Sequence, residues 1–411
     1  MLAFATSHIL AAPPVVSSVT ASQRAGTKIV DIYYNLADAD NHPQTITVSL
    51  TSGSATLPAV SLSGDVGANV LPGNNKHIVW DAGTAWPGNY AANVVASVTA
   101  NDGKINMPTA LYVVVDLSGG PNATSYPVST LTAVPSGGWT YDHKTTKLVL
   151  RKINKGAFTM GSPSYELGRS SDEVLHQVTL TQDFYTGVFP VTQRQYELIT
   201  GTNPSNFTGY TRPVESVSYD KIRGTSLGSQ WPANNNVDPL SFMGRLRAKT
   251  GLVFDLPTEA QWEYACRAGT SSSLNSGKEI TTTGVGSCPN MSEVGRYLNN
   301  GSDNKGGFSG YNKHTEVGLY LSNSWGLYDM HGNVFEWCLD RNGSFNSNPV
   351  TDPKGATTGS SRILRGGGYN SYPKDCRSAF RKSMTSSSIG NSSGGDGLYG
   401  FRVCIVPSTI Q

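Results

Sequence analysis

From residue 13 to about residue 118 the chain is a series of short apolar runs separated by polar turns. Residues 15–19, 28–34, 45–50, 77–80, 93–98 and 111–116 are rich in β-branched and aromatic side chains, several of them alternate with period two, and Gly, Pro, Asn and Asp cluster between them. Alternation of this kind predicts strands with one face buried, and the spacing of the turns predicts a β-sandwich of the immunoglobulin or fibronectin type III kind. No cysteine lies in this stretch to bridge two sheets. The core must therefore rest on Val, Ile and aromatic burial, at ~25 cal/mol per Å² of apolar surface removed from water.

The pattern then changes. Residues 119–142 are rich in Gly, Pro and Ser and read as a linker, and 146–153 alternate enough to open a second domain. Three helices follow from their caps. Thr192 and Gln195 form a capping box before Tyr196, Leu198 and Ile199, with Gly201 as the stop. Asp238 and Pro239 predict a second start, before Leu240, Met243 and Leu246 and ending at Gly251. Thr258 and Gln261 repeat the box and put Trp262, Ala265 and Cys266 on one face, where Trp262 belongs to the core. Residues 271–312 have no lasting periodicity, and so long a loop in a compact domain points to a ligand or metal such as calcium.

With 411 residues, two domains or three are expected. Lys+Arg 31 against Asp+Glu 29 gives a net charge of +2, so nothing favours nucleic acid or an anionic membrane. The basic cluster at 377–382 reads as solvated or paired charge. Charged residues at 15% with 45 glycines suit a β- and loop-rich exported protein: secreted, periplasmic or cell-surface. Residues 1–12 resemble the apolar end of a secretion signal without its basic region, and no stretch reaches the roughly 18 apolar residues needed to span a bilayer. All five cysteines, Cys266, Cys288, Cys338, Cys376 and Cys404, lie in the second domain and none forms C-x-x-C, which argues against a zinc ribbon or thioredoxin motif. Serine-hydrolase and phosphate-loop motifs are also missing.

Several blocks are glycine-punctuated and aromatic: F-T-M-G-S (158–162), P-V-T (190–192), P-V-E-S-V-S-Y (213–219), L-P-T-E-A-Q-W-E-Y-A-C-R-A-G (256–269), W-G-L-Y-D-M-H-G-N-V-F-E-W (325–337), R-G-G-G-Y-N-S-Y-P-K-D-C-R-S-A-F-R (365–381) and Y-G-F-R-V-C (399–404). In this order they resemble the formylglycine-generating enzyme, or sulfatase-modifying factor, family, a variant of the C-type lectin fold. The resemblance runs from about residue 147 to 406 and implies an α+β, C-type lectin-like domain over 143–411, preceded by the all-β sandwich at 13–118.

The resemblance also implies a structural calcium at Asp329, Gly332, Val334 and Glu336, the middle two through main-chain oxygens, since calcium takes six to eight hard oxygens. Alternatively, Glu336 caps or pairs with an arginine. A second calcium site would fall near Asn299, Asn300 and Phe308, and His331 beside the first turn reads as a structural hydrogen-bonder. The family position matching Cys266 is bridged to the segment of Cys376, which implies a Cys266–Cys376 disulfide. The family's oxidation of a sulfatase cysteine to formylglycine needs two thiolates for Cu(I). Here the first of those positions reads Asn or Ser, so copper is not expected. Cys376 is then the weak catalytic candidate, with Cys404 a substitute partner only if folding joins them. Relatives with mononuclear iron use a triad resembling H-x-x-x-H-x-E, and no two of the seven histidines have that spacing.

The remaining reading is binding of a protein or glycan ligand by Tyr369, Asn370, Ser371, Tyr372, Asp375 and Phe380. Tyr, Ser and Asn mixtures suit recognition surfaces, and the segment resembles the variable region of C-type lectin-fold proteins diversified by retroelements. The alternatives are an oxidase with a rearranged thiol site, a structural envelope or matrix component, or a plain solvated loop at 369–399.

Overall fold

A computed structural model describes residues 14–38, 41, 43–101, 110–301, 313–390 and 397–405. The chain divides into two compact units, with the break between Thr109 and Ala110.

The first unit is all β. Ile29–Ala37 lies between Val15–Gln23 and Gly73–Asp81 in one antiparallel sheet, with Leu62–Gly64 beyond. In the other sheet Gln44–Ser52 pairs along its length with Val94–Asn101, and on its far side with Ala55–Leu57 and Gly67–Val70. Alternation decides which side chains are buried: Val30, Ile32, Tyr34 and Leu36 point inward from one strand, against Leu50, Ile78, Trp80 and Val98.

The sixth run expected in this sandwich lies elsewhere. Tyr112–Asp116 pairs with Lys147–Ile153 inside the second unit, and Val128–Leu131, in the stretch expected to be a linker, pairs with it on the other side. Its successive residues Tyr112, Val113, Val114 and Val115 are all buried, so it is a central strand covered on both faces.

In the second unit these three strands continue through Phe184–Gly187 and Cys404–Ile405 to Phe254–Asp255, forming a six-stranded antiparallel sheet. A second sheet places Phe335–Arg341 between Ser361–Arg365 and Tyr399–Gly400, with Lys382–Thr385 at its edge. A third joins Gly156–Met160, His176–Leu180 and Val350–Thr351. Helix Gln193–Thr200 carries both reciprocal bonds of its capping box and ends at Gly201 with φ 85°. Helix Glu259–Arg267 has the same box from Thr258 and Gln261. The middle helix, Phe242–Thr250, begins later than its sequence suggests, with Ser241 as its cap. Asp238 is instead turned toward the N–H groups of Ser226 and Leu227, and Leu240 is left exposed. The long loop contains a short helix, Pro289–Val294, and residues 302–312 lie outside the described residues.

Candidate functional site

The turn at 329–336 carries the four predicted residues, and its two carboxylates are already engaged. Glu336 is buried on strand Phe335–Arg341. Its Oε2 accepts from Arg402 Nε at 2.6 Å and from Trp262 Nε1 at 2.7 Å, and its Oε1 accepts from an Arg402 terminal nitrogen at 2.8 Å. Asp329, in the left-handed region at φ 55°, accepts from the Gly318 N–H at 2.7 Å and the Asn333 amide at 3.3 Å. Burial, with the Glu336 charge adding to it, pushes the Asp329 carboxyl up to about 6. Among the described residues no three metal-binding side chains converge. Arg402 already supplies the positive charge that Glu336 requires, so this carboxylate is not an open donor for a calcium ion. Gly332 shows how tightly the turn is closed: at φ 76°, a Cβ there would stand 1.9 Å from the Arg296 carbonyl.

At the second expected calcium position, Asn299 donates to the Gly284 carbonyl at 2.9 Å, and Asn300 bonds the Gly295 carbonyl and the Tyr297 N–H, each at 2.9 Å. Both brace the loop, and Phe308 lies outside the described residues. His331 is also a brace. Its Nδ1 donates to the Cys376 carbonyl at 2.7 Å, its Nε2 accepts from the Asn275 N–H at 2.9 Å, and burial lowers it to about 4, so it is neutral.

The expected disulfide is not formed. All five cysteines are free thiols, and Cys266 Sγ faces Ser378 Oγ at 3.7 Å. Cys376 lies two residues earlier, at the end of the turn Pro373–Cys376, and points into a different apolar cluster with Leu274, Ile280, Cys288 and Met291. Cys404 lies with Cys266 in the main core around Trp262, apart from the cluster of Cys376, and so is not a partner for Cys376. Burial raises the Cys376 and Cys404 thiols well above their ordinary range and Cys266 to about 12, which suppresses the reactive thiolate.

The expected recognition segment is split between interior and surface. Tyr369 is fully buried, its ring edge-on to Phe207 and His314, and Ser371 is buried with its hydroxyl accepting from the Gly368 N–H at 3.0 Å. Neither reaches a ligand in this arrangement. Tyr372 is exposed, whereas Asn370, Asp375 and Phe380 are half-buried. Sequence reasoning missed their neighbour Lys382. Its ammonium lies over the rings of Phe335 and Tyr399, 4.6 and 5.4 Å from their centroids, and Phe380 packs near Phe335. Desolvation lowers Lys382 and raises Asp375, and each partly offsets the other's shift. The signal available in the sequence was a lysine two residues after Phe380, within a basic cluster whose arginines are otherwise paired internally.

Those pairs define the chemistry of this unit. Arg377 bridges Glu166 and Glu173 at 2.6 Å each, Arg381 takes Glu259 at 2.6 Å, Arg365 takes Glu263, and Arg223 takes Asp255 at 2.7 Å, all deeply buried. Of these residues, Glu259, Glu263, Arg365, Arg377 and Arg381 stand in the blocks that carry the sequence resemblance. Residues 142–405 match the model of the sulfatase-modifying factor enzyme 1-like domain. The chain belongs to that family. Over 242 residues it is 32% identical to chaperone protein LppX of Paenibacillus barcinonensis, covering 53% of this chain and 77% of that protein. Over 150 residues it is 35% identical to the formylglycine-generating enzyme of Streptomyces coelicolor, covering 36% of this chain and 45% of the enzyme, so it spans under half of that relative. Among solved structures, Treponema denticola variable protein 1 is 24% identical, with a TM-score of 0.47, over 65% of this chain and 98% of that one.

Proposed function

We propose that this family member is an exported ligand-binding protein whose C-terminal unit holds a protein or glycan through the face formed by Asn370, Tyr372, Asp375, Phe380 and Lys382, with the sandwich as an immunoglobulin-like spacer. The observation that supports the reading best is Lys382, a half-buried ammonium held over two aromatic rings with no hydrogen-bond acceptor among the described residues. An ammonium kept there without an acceptor is pre-desolvated for a carbonyl or carboxylate of a ligand, and Tyr372 adds rigid contact area beside it. Among the described residues no helix is long and apolar enough to cross a membrane.

The test is selection of binders from a glycan array and a displayed peptide library. Ligands that the wild type retains and the Lys382→Ala and Tyr372→Ala variants lose support the reading. Ligands that both variants retain refute it.

The second reading is formylglycine-generating oxidation, favoured by the likeness to the Streptomyces enzyme and by Cys288 and Cys376 sharing one buried cluster. If copper were bound, those two sulfurs would hold it, but burial of Cys376 as a thiol opposes this. Mass spectrometry of a cysteine-containing sulfatase peptide, incubated aerobically with the Cu(I)-loaded protein, separates the readings. Aldehyde formation that Cys376→Ala abolishes would favour the oxidase.

A further inference from the structure

A cavity of about 520 Å³ opens on the second unit between the strands His176–Leu180 and Phe335–Arg341 and the start of helix Glu259–Arg267. None of Asn370, Tyr372, Asp375, Phe380 or Lys382 lines it, so it is separate from the face described above. Its volume falls within the usual range of small-ligand sites, and Met160, Ala260, Val350, Pro353 and Ala356 give it an apolar lining.

The charged side chains of the lining are unevenly matched. Arg341, Lys354 and Arg381 supply three positive charges against the acids Glu259 and Asp340. Arg381 is already committed: Glu259 takes it through two bonds, at 2.6 and 2.9 Å, and the Phe345 ring lies 3.9 Å from its guanidinium. Burial and the nearby Glu259 push the Asp340 carboxyl up to about 8 against the opposing pull of Arg381 and Arg362, so at neutral pH it is an uncharged acid. With Asp340 ionised or not, the cations outnumber the acids, and Arg341 and Lys354 form no ion pair among the described residues.

Local structure gathers these two cations beside Trp231. Arg341 ends its strand, and its guanidinium bonds the carbonyls of Trp231 at 3.1 Å, Ser229 at 2.8 Å and Gly359. These bonds use three of its five N–H donors, and none of them brings a negative charge. Lys354 is exposed. Its carbonyl accepts from Trp231 Nε1 at 3.0 Å, and its ammonium lies 6.0 Å from the centre of the Trp231 ring. Gly355, at φ 77°, lets this loop press on the strand, since a Cβ there would stand 2.7 Å from the Asp340 Cβ. Arg362 bonds the same carbonyls of Ser229 and Trp231, at 2.7 and 3.2 Å, so a third cation backs the pair. Asp352, close by in sequence, is turned away and bonded to the N–H and hydroxyl of Thr181.

We propose that this cavity binds a small organic anion, with its apolar body against Met160, Val350 and Pro353 and its carboxylate or phosphate group beside Arg341 and Lys354. An inorganic ion would leave most of the apolar lining to water, and a neutral or cationic ligand would leave the two cations uncompensated. Bonds from guanidinium and ammonium groups to an oxyanion are charge-assisted, roughly twice as strong as neutral ones.

The test titrates the full chain with benzoate, phenyl phosphate, benzyl alcohol and benzylamine, probes of similar size and different charge, by calorimetry and saturation-transfer NMR. At least one of the two anions should saturate at ~1 mM or below and bind about tenfold more tightly than the alcohol or the amine. Lys354→Glu reverses the charge of an exposed side chain and should weaken the anion about fivefold or more, with an unchanged thermal midpoint showing that the variant is folded. The proposal is overturned if neither anion saturates the wild type, if the alcohol or the amine binds as well as the anions, or if Lys354→Glu binds them as well as the wild type. It is equally overturned if Lys382→Ala abolishes the binding, because the anion would then occupy the other face. The two faces share no residue, so either result leaves the proposed function to be judged on its own ligands.

Discussion

The N-terminal sandwich buries Ile32, Tyr34, Leu50, Ile78 and Trp80 and keeps its ionic contact at the surface, whereas the C-terminal unit buries Arg223, Arg362, Arg365, Arg377 and Arg402. In the sandwich the visible cluster is Arg24, Asp31 and His77, with the Arg24 side chain 49% exposed. Hydrogen bonds from Arg24 and His77 hold the Asp31 carboxyl down at about 2. In the second unit irregular segments meet where sheet pairing is short, as in the two-residue strands Gly295–Arg296 and His331–Gly332. Guanidinium groups do the joining: Arg362, in no ion pair among the described residues, bonds the carbonyls of Leu339 at 2.9 Å and Ser229 at 2.7 Å. Sheet pairing can hold a fold with apolar side chains alone. A loop-rich fold has many carbonyls to satisfy, and arginine's five donors can satisfy several of them at once.

The contrast can be broken most directly at Arg377. Arg377→Met strands Glu166 and Glu173 in the interior, and denaturant unfolding of the second unit should show a loss of about 3–5 kcal/mol. A loss under ~1 kcal/mol would mean that these pairs are incidental. In the opposite direction, Ser378→Cys places a second thiol against Cys266. Under oxidising conditions it should form the missing bridge and add about 2–4 kcal/mol to stability, read by peptide mapping and thermal melts.

A pH series sharpens the comparison further. Asp340 is raised, so the folded state binds the proton more tightly than the unfolded chain. Its stabilising effect is complete below the unfolded carboxylate value and is lost as pH rises toward 8. His331 is lowered and acts oppositely, but only between about 4 and its ordinary value, so from about pH 6.5 to 8 it does not offset the Asp340 slope. The second unit should lose up to ~1.4 kcal/mol per pH unit in that window, and Asp340→Asn should flatten the slope. In the sandwich, Ile32→Val trims one methyl group from an apolar core and should cost about 0.5–1.5 kcal/mol, with no dependence on pH. The smallest effect expected is none: a calcium chelator should leave the thermal midpoint of the second unit unchanged, because Arg402 already compensates Glu336. A clear downward shift would restore calcium to the turn.

Much of this was legible in the sequence. Thr192 with Gln195, and Thr258 with Gln261, announce their helices because a cap and its partner lie three residues apart and the chemistry is local. Alternation at 29–37 sorts the sandwich core without reference to the rest of the chain. The strand at 112–116 was misplaced because a continuous apolar run does not say which sheet will cover it. The cysteine pairing failed for a similar reason. Both Cys376 and Ser378 are buried, and only the path of the turn Pro373–Cys376 decides which of them faces Cys266.

By itself, the sequence determined the family, the two-part organisation, the capped helices and the half-buried strands, since each depends on neighbours a few residues away. Tertiary structure alone decided how the charges are used. Arg377 meets Glu173 across 204 residues, and Arg402 meets Glu336 across 66. A guanidinium reads the same in sequence whether it is solvated, pairs with a buried acid or leaves a neighbouring carboxyl uncharged in a cavity wall. Which of these it does depends on the water and the partners that only the folded chain brings to it or removes.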